Sequence, residues 1–167
     1  SHGDSLEQVF DNFYEAFKNH VPYDRIGVAV ISDDQTLVRS IWARAEYQQI
    51  LLGTGYQSEL AGSTLQKIIE TRQPRIINDL EEYLRNKPDS HATSLIVKEG
   101  VRSSLTCPLR ADGRPIGFLF FSKTSTDAYK DAHVETFQEI AEHLSLVVAR
   151  MQTLERLRQL NETKNKF

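Results

Sequence analysis

Hydrophobic residues recur at helical intervals at both ends of this chain and at strand-like intervals between them. Near the N-terminus the apolar positions are Leu6, Val9, Phe10, Phe13 and Phe17. Because this spacing puts them on one face, it predicts an amphipathic helix over residues 4–20, which Pro22 ends. Helical spacing returns near Asp131 and persists to the end of the chain, so a second and much longer helix is predicted there.

Two pairs of segments between these helices have the composition of β-strands. The first pair is "RIGVAVIS" (25–32) and "TLVRSIWARAE" (36–46), which are rich in β-branched residues and flank a polar turn. The second pair is "VRSSLTCPL" (101–109) and "PIGFLFFSK" (115–123), which flank a tight turn. Each pair predicts a β-hairpin.

Alternation along the strands assigns side chains to the two faces of a sheet. In the second strand one face carries Val38, Ser40, Trp42 and Arg44. In the third strand Ser104 and Thr106 share a face, which is predicted to lie next to the segment between the two hairpins. A buried polar face needs hydrogen-bond partners, so either the middle segment or a ligand with water must supply them.

Residues 48–99, called the insertion below, separate the two hairpins. Their first part, residues 48–62, is rich in glycine and is predicted to be a loop, with a short strand within it as an alternative. Ser63 and Gln66 fit a capping box that would begin a short helix. That helix ends before Pro74, and residues 75–77 form a candidate short strand.

Two further short helices are predicted to complete the insertion. Asn78 and Asp79 are suitable N-cap residues for the first of them. The second covers residues 91–99 and has Gly100 as its C-terminal cap. The order of elements therefore predicts an α+β domain, with an antiparallel sheet that carries the terminal helices on one face and the insertion on the other.

Composition and charge narrow the possible partners. The chain has 167 residues, of which 40% are hydrophobic and 26% charged, and this is usual for a single globular domain. A net charge of −3 offers no electrostatic basis for binding nucleic acid or an anionic membrane. No apolar run approaches the length of about 20 residues that spans a bilayer, so no direct membrane contact is expected.

The single cysteine, Cys107, excludes an intramolecular disulfide and any multi-cysteine metal site. Its place in a strand favours a buried, unreactive thiol, and a reducing cytoplasm is the simplest location. No phosphate loop, nucleophile triad or metal-ligand cluster occurs, so the chain is not expected to be an enzyme and no metal site is predicted. Residues 1–3 are interpreted as a cloning remnant.

Four stretches resemble the GAF domain, a sensory module related to the PAS domain. They are "GSTLQKIIETRQPRIINDL" (62–80), "EGVRSSLTCPL" (99–109), "RADGRPIGFLFFSK" (110–123) and "AYKDAHVETFQEIAEHLSLVVA" (128–149). The resemblance places a GAF sensor domain at residues 4–149. It implies a non-catalytic domain that holds a small ligand of unknown identity between the sheet and the insertion, but many signals use this scaffold.

The resemblance and the residue types together suggest which side chains line the ligand site. Aromatic rings could form apolar walls with a polar handle, hydroxyls and an Asn-Asp pair could supply hydrogen bonds, and a histidine could face the pocket. The candidates are Trp42, Tyr56, Asn78, Asp79, Tyr83, His91, Ser104 and Thr106.

A covalently bound bilin is not expected. GAF domains of that class attach the chromophore to a cysteine that often precedes a histidine in the insertion, and here Ser90 precedes His91. GAF-type methionine sulfoxide reductases rely on more than one cysteine, so the single Cys107 also argues against that activity. The spacing suggests no second ligand that would make His91 a haem site.

A second resemblance concerns the C-terminal segment, residues 150–167. "LRQLNETKNKF" is similar to the linker that precedes the phosphoacceptor helix of sensor histidine kinases, so a kinase output domain is expected beyond it. A cyclase or a transcription factor stays possible as the effector. With Leu144 at a heptad a position, Met151 and Leu154 follow at a and d, which predicts a parallel homodimer through the terminal helices. A dimerisation and transmission module without any ligand is the alternative function.

Overall fold

The computed structural model describes residues 2–165, with side chains from residue 6 onward. The helices are α1 (His2–Ala16), α2 (Leu65–Thr71), α3 (Leu80–Asn86), α4 (His91–Glu99) and α5 (Asp131–Asn165). The strands are β1 (Arg25–Ile31), β2 (Leu37–Ala45), β3 (Gln57–Glu59), β4 (Arg75–Ile77), β5 (Ser103–Ala111) and β6 (Arg114–Lys123). Ser1 and residues 166–167 lie outside this range, and with them part of the predicted remnant and of the kinase-linker resemblance.

All six strands join one antiparallel sheet in the order β3-β2-β1-β6-β5-β4. Both predicted hairpins are confirmed, since β1 pairs with β2 and β5 pairs with β6. The first strand, β1, lies between β2 and β6 near the centre of the sheet, which explains why its sequence is apolar on both faces. The predicted α+β class is therefore confirmed.

The terminal helices cover one face of this sheet. Their apolar residues pack with one face of the strands in a core that includes Phe10, Tyr14, Leu105, Phe121, Phe137, Leu144 and Val148. Ser145 of α5 also bonds to the sheet, because its Oγ accepts a hydrogen bond of 3.0 Å from the backbone N–H of Arg110. The first half of α5 thus packs on the domain as predicted, and its later residues are exposed.

The insertion covers the opposite face of the sheet. There a smaller cluster of buried residues joins the strands to the insertion: Ala29, Ile31, Val38, Leu60, Ile68 and Phe118. Helix α4 ends as predicted, with Gly100 in the left-handed conformation at φ 107°. Asp79 is the N-cap of α3, since its carboxylate accepts a hydrogen bond from the backbone N–H of Glu82.

Two predicted helix boundaries are wrong. Helix α1 ends at Ala16 rather than at residue 20, because the chain turns after Phe17 and the Tyr23 hydroxyl donates to the Tyr14 carbonyl at the helix end. The capping box at Ser63 does not form either. Thr64 is the N-cap of α2, and the Ser63 hydroxyl instead donates to the Leu60 carbonyl at 2.7 Å.

A β-bulge in β2 changes which face its residues occupy. Val28 pairs with Trp42 and Ala29 pairs with Ser40, so Ile41 is an extra residue in the ladder. Ile41 and Trp42 consequently both pack against the core on the helix side, whereas Ser40 faces the insertion. The prediction that Ser40 and Trp42 share a face is therefore wrong.

None of the helices in the described part of the chain combines the length and the apolar character that a membrane crossing requires.

Candidate functional site

A cavity of about 620 Å³ lies between the sheet and the insertion. Ligand pockets in proteins commonly enclose about 300–1,000 Å³, so this space suits a small molecule. Much of its wall is apolar, with Val38, Leu65, Ile77, Ile96 and Phe120 among the lining residues. Hydroxyl groups on three strands form its polar floor, and they belong to Ser40, Ser122, Ser104 and Thr106. An apolar wall with a few placed polar groups is the usual chemistry of a binding pocket.

Four of the eight predicted site residues line this cavity: Tyr56, His91, Ser104 and Thr106. The rings of Tyr56 and His91 face each other with centroids 5.9 Å apart, joining the loop before β3 to the start of α4. Burial raises the pKa of Tyr56, so its hydroxyl stays a neutral donor at physiological pH. A role for these four residues in binding a ligand stays a prediction.

The other four predicted residues do not line the cavity. Trp42 lies on the helix side of the sheet, where its ring stacks on Phe10 with centroids 5.1 Å apart. The Asn78 side chain holds the loop before α5, donating to the Tyr129 carbonyl and accepting from the Tyr129 N–H. Asp79 is used as a helix cap.

Tyr83 does not line the cavity but contacts two residues that do. Its ring lies under the guanidinium of Arg75, 5.8 Å from ring centroid to Cζ, and under the ammonium of Lys87 at 6.0 Å. Both cations line the cavity, so Tyr83 helps to position them. Arg75 was not among the predicted site residues, since a three-residue strand carries little signal of its own.

Arg75 and Thr106 leave unpartnered polar atoms at the cavity. They are directly opposite each other on β4 and β5, so both side chains leave the same face of the sheet. The Nε of Arg75 and the Oγ1 of Thr106 are buried, and neither has a hydrogen-bond partner among the described residues. Burial lowers the pKa of Arg75. Since buried polar groups are normally satisfied, these two atoms mark a place for a ligand or water.

A buried ion pair fastens the insertion to the sheet. The Arg25 side chain is 2% exposed and the Glu99 side chain 0%, with 2.9 Å between Nε and Oε1. Arg25 also donates to the Leu52 carbonyl at 2.6 Å. Glu99 further accepts hydrogen bonds from the Tyr47 hydroxyl at 2.6 Å and from the backbone N–H groups of Leu51 and Leu52 at 2.9 and 2.8 Å.

The surroundings of Glu99 keep it ionised. Burial alone would raise the pKa of its carboxyl, but the hydrogen bonds and charge of Arg25, with help from Tyr47 and Leu52, outweigh that effect and hold the pKa below its usual range. Gly27 makes room for this cluster, because a Cβ there would lie 2.9 Å from the Nη1 of Arg25. The one available sequence signal was an arginine beginning an otherwise apolar strand, since a buried charge requires a partner.

Cys107 lies on the face of β5 that packs against the terminal helices, away from the cavity. It is buried, as predicted, and burial raises the pKa of its thiol to about 12. The thiolate required for redox or nucleophilic chemistry is therefore scarce at neutral pH. Within the described residues, no group of three or more His, Cys, Asp or Glu side chains is arranged to hold a metal ion.

Solved structures share this architecture. The GAF domain of a two-component sensor histidine kinase from Bacillus halodurans has a TM-score of 0.73 at 13% identity, covering 90% of this chain and 97% of that chain. A type II free methionine-R-sulfoxide reductase from Thermoplasma acidophilum has a TM-score of 0.62 at 15% identity, covering 89% and 93%.

A phycocyanobilin-bound GAF domain from a cyanobacterial phytochrome has a TM-score of 0.59 at 14% identity, covering 77% of this chain and 75% of that chain. Because all three identities are low and the activities differ, these likenesses establish the fold alone. No curated protein matches the chain significantly. The family model of the GAF domain matches residues 3–149. The chain therefore belongs to the GAF domain family, whose members are generally sensory or regulatory.

Proposed function

We propose that this chain is a non-catalytic sensor domain that binds a small ligand in the cavity between sheet and insertion. The observation that carries the proposal is the cavity itself, with its apolar wall and its row of strand hydroxyls. The ion pair of Arg25 and Glu99 supports it, because that pair joins β1 to the C-terminal end of α4 and so keeps the insertion in place over the cavity.

The signal is proposed to reach a histidine kinase output domain through α5. Strand β5 supports this route, since alternate residues contact the two sides of the sheet: Thr106 lines the cavity, whereas Leu105 and Leu109 belong to the core that includes α5. A ligand that favours one position of β5 and the insertion would then bias the packing of α5. The likeness to the kinase GAF domain from Bacillus halodurans is consistent with this output.

A cavity-filling variant tests the binding step. Ala92 lies on α4 and lines the cavity, so Ala92→Trp is expected to occupy the ligand's space. The purified protein is incubated with a small-molecule cell extract and examined by native mass spectrometry. A bound compound is expected on the wild type and on the control variant Ala132→Trp, which changes an exposed position of α5, but not on Ala92→Trp. Equal occupancy of Ala92→Trp would refute binding at this cavity.

The relay is tested separately on the product of the gene that encodes this chain. Ala92→Trp is expected to alter its autophosphorylation rate, whereas Ala132→Trp is not. If the gene product autophosphorylates and Ala92→Trp leaves the rate unchanged, the cavity does not control the kinase. If it contains no kinase module, a cyclase or transcription-factor output takes its place.

A second candidate is a dimerisation and transmission module that needs no ligand. The observation that favours it is a set of exposed leucines on α5, Leu146, Leu154, Leu157 and Leu160, which are 50–72% exposed. Large apolar side chains grouped on one surface often mark a contact with another protein. An unoccupied cavity in the native mass spectrum, together with a stable dimer, would favour this candidate over the sensor.

A further inference from the structure

We infer that the ligand of the cavity carries a carboxylate, which binds the Nε of Arg75 and the Oγ1 of Thr106. This inference rests on the proposed function, since it specifies the chemistry of a ligand at the same cavity. It concerns two side chains on adjacent strands, each of which has one buried polar atom without a hydrogen-bond partner among the described residues.

Thr106 supplies the first argument. The residue is 1% exposed, its hydroxyl has no hydrogen-bond partner among the described residues, and it lines the cavity. A hydroxyl buried without a partner destabilises a protein, whereas valine would fill the same volume without that penalty. The position is therefore better suited to a ligand than to the stability of the empty domain.

Arg75 supplies the charge. No carboxylate lies within ion-pair distance of it in the described part of the chain. The Thr64 carbonyl accepts from its Nη1 at 3.3 Å, and the Tyr83 ring lies against the guanidinium, so the side chain is held in place. Its Nε remains free, and a guanidinium edge fits the two oxygens of a carboxylate.

The other charged residues at the cavity do not compete for this anion. Arg25 is already neutralised by Glu99. Glu59 and Asp89 line the cavity but are exposed to solvent, as is Lys87. A single half-buried cation with no carboxylate partner suits one negative charge, and a phosphate dianion would leave an excess of charge.

The rest of the cavity selects the body of the ligand. Phe120 lies directly across the sheet from Thr106, so an apolar surface begins next to the proposed carboxylate site. The wall continues through Leu65, Ile77 and Ile96. The matching ligand class is a monocarboxylate with an apolar, preferably flat, body.

The experiment uses three matched pairs of probes on the purified protein. They are benzoate with benzamide, 2-naphthoate with 2-naphthamide, and indole-3-acetate with indole-3-acetamide. Binding is followed by the shifts of the amide ¹H–¹⁵N signals of α4 and β5, and 2-naphthyl phosphate is added as a dianionic probe. At least one carboxylate is expected to bind at the cavity at least about tenfold more tightly than its amide, because a charge-assisted hydrogen bond is lost with the charge.

Variants assign that preference to the two residues. Arg75→Gln is expected to remove the preference for the carboxylate, while Arg85→Gln, a control at an exposed position of α3, retains it. Thr106→Val is expected to weaken carboxylate binding severalfold and to raise the melting temperature of the free protein by about 2–4 °C, since an unsatisfied buried hydroxyl is removed. A merely structural threonine would not produce both effects.

The outcomes separate this inference from the proposed function. If amides bind at the cavity as tightly as carboxylates, or if Arg75→Gln leaves the preference unchanged, the cavity still binds a ligand but the carboxylate assignment is wrong. Tighter binding of 2-naphthyl phosphate would overturn it in favour of a phosphate. If no probe shifts the signals of α4 and β5, the carboxylate inference is overturned, whereas the native mass spectrum of the protein with the cell extract decides separately whether the cavity binds another ligand.

Discussion

Arg25 and Glu99 illustrate how single residues can determine where a whole segment lies. Glu99 is the last residue of α4, and its carboxylate binds the loop at residues 51–52 as well as β1. Each partner would be a costly buried charge without the other. The pair therefore links the position of the insertion to that of the central strand, although it adds little net stability compared with an apolar pair.

Removing the negative charge should be strongly destabilising. Glu99→Gln leaves Arg25 buried without a counter-charge, so the free energy of unfolding is expected to fall by about 3 kcal/mol. Urea denaturation of the wild type and the variant measures this difference. Glu139→Gln, at an exposed position of α5, is the control and should change stability little. A loss as small as that of the control would contradict the buried pair.

The same pair predicts a pH dependence. Because the pKa of Glu99 is lower in the folded protein than the ordinary glutamate value of 4.5, the stability that it contributes is complete above that value and is lost as pH falls through the folded pKa. The difference in unfolding free energy between wild type and Glu99→Gln should accordingly be largest above pH 5 and shrink below pH 4.5. A difference that stays constant down to pH 3 would exclude this linkage.

Helix α5 has two apolar faces, of which one packs on the sheet and the other is exposed to solvent. At about 100° per residue, its buried residues Phe137, Leu144 and Val148 point toward the sheet. The exposed Leu146, Leu154, Leu157 and Leu160 fall within about 120° of each other on the opposite face, which is called the leucine face here. Since Leu144 already packs in the domain core, the heptad seam that the sequence suggested is not available along its whole length.

The leucine face should therefore mediate the predicted homodimer. Leu157→Glu combined with Leu160→Glu is expected to convert a dimer into a monomer, because burying two carboxylates in an apolar seam is unfavourable. Analytical ultracentrifugation reports the mass. The matched control, Gln159→Glu with Thr163→Glu, adds the same charge at two exposed positions away from the leucine face and should stay dimeric. A dimer that persists in the Leu157/Leu160 variant would assign dimerisation to another surface.

At the scale of the whole molecule, the turn of the β1–β2 hairpin contacts the C-terminal half of α5. Arg156 binds Asp33 in the β1–β2 turn, with 2.6 Å between Nη2 and Oδ1. Arg114 in the β5–β6 hairpin donates to the Asp33 carbonyl at 2.8 Å. The first contact joins α5 to the β1–β2 turn beyond Val148, where its buried stripe ends, and the second joins that turn to the β5–β6 hairpin. We therefore expect the pair of Arg156 and Asp33 to limit how freely the exposed part of the helix moves relative to the domain.

Exposed ion pairs add little to global stability, so the effect of this one should be local. Arg156→Gln is expected to leave the melting temperature unchanged while speeding amide hydrogen exchange in residues 152–160. Wild-type protein in 0.5 M salt should show the same local change, because salt screens exposed charges. Arg150→Gln, an exposed position on the same helix, is the control. A similar exchange rate in the Arg156 and Arg150 variants would show that the pair does not restrain α5.

Several features could be predicted from the sequence because they depend on neighbours in the chain. Both hairpins, α4 with its Gly100 cap, the Asp79 cap and the long α5 follow from periodicity and from local hydrogen bonding. The same patterns predicted that the terminal helices cover one face of the sheet and the insertion covers the other. Ser104 and Thr106 were assigned to the insertion side by simple alternation along an unbroken strand.

Other features depended on contacts between segments far apart in the chain. Trp42 faces the helix side of the sheet instead of the cavity because one bulged residue reverses the alternation of β2. A bulge has no reliable local signature in the sequence. The Asn78 side chain is hydrogen-bonded to the backbone of Tyr129, which lies 51 residues away in the chain. The Arg25–Glu99 pair and the juxtaposition of Arg75 with Thr106 also arise only when the insertion folds over the sheet. Tertiary packing alone removes water from these groups, and only without water do their interactions with protein partners become strong and the lack of a partner costly.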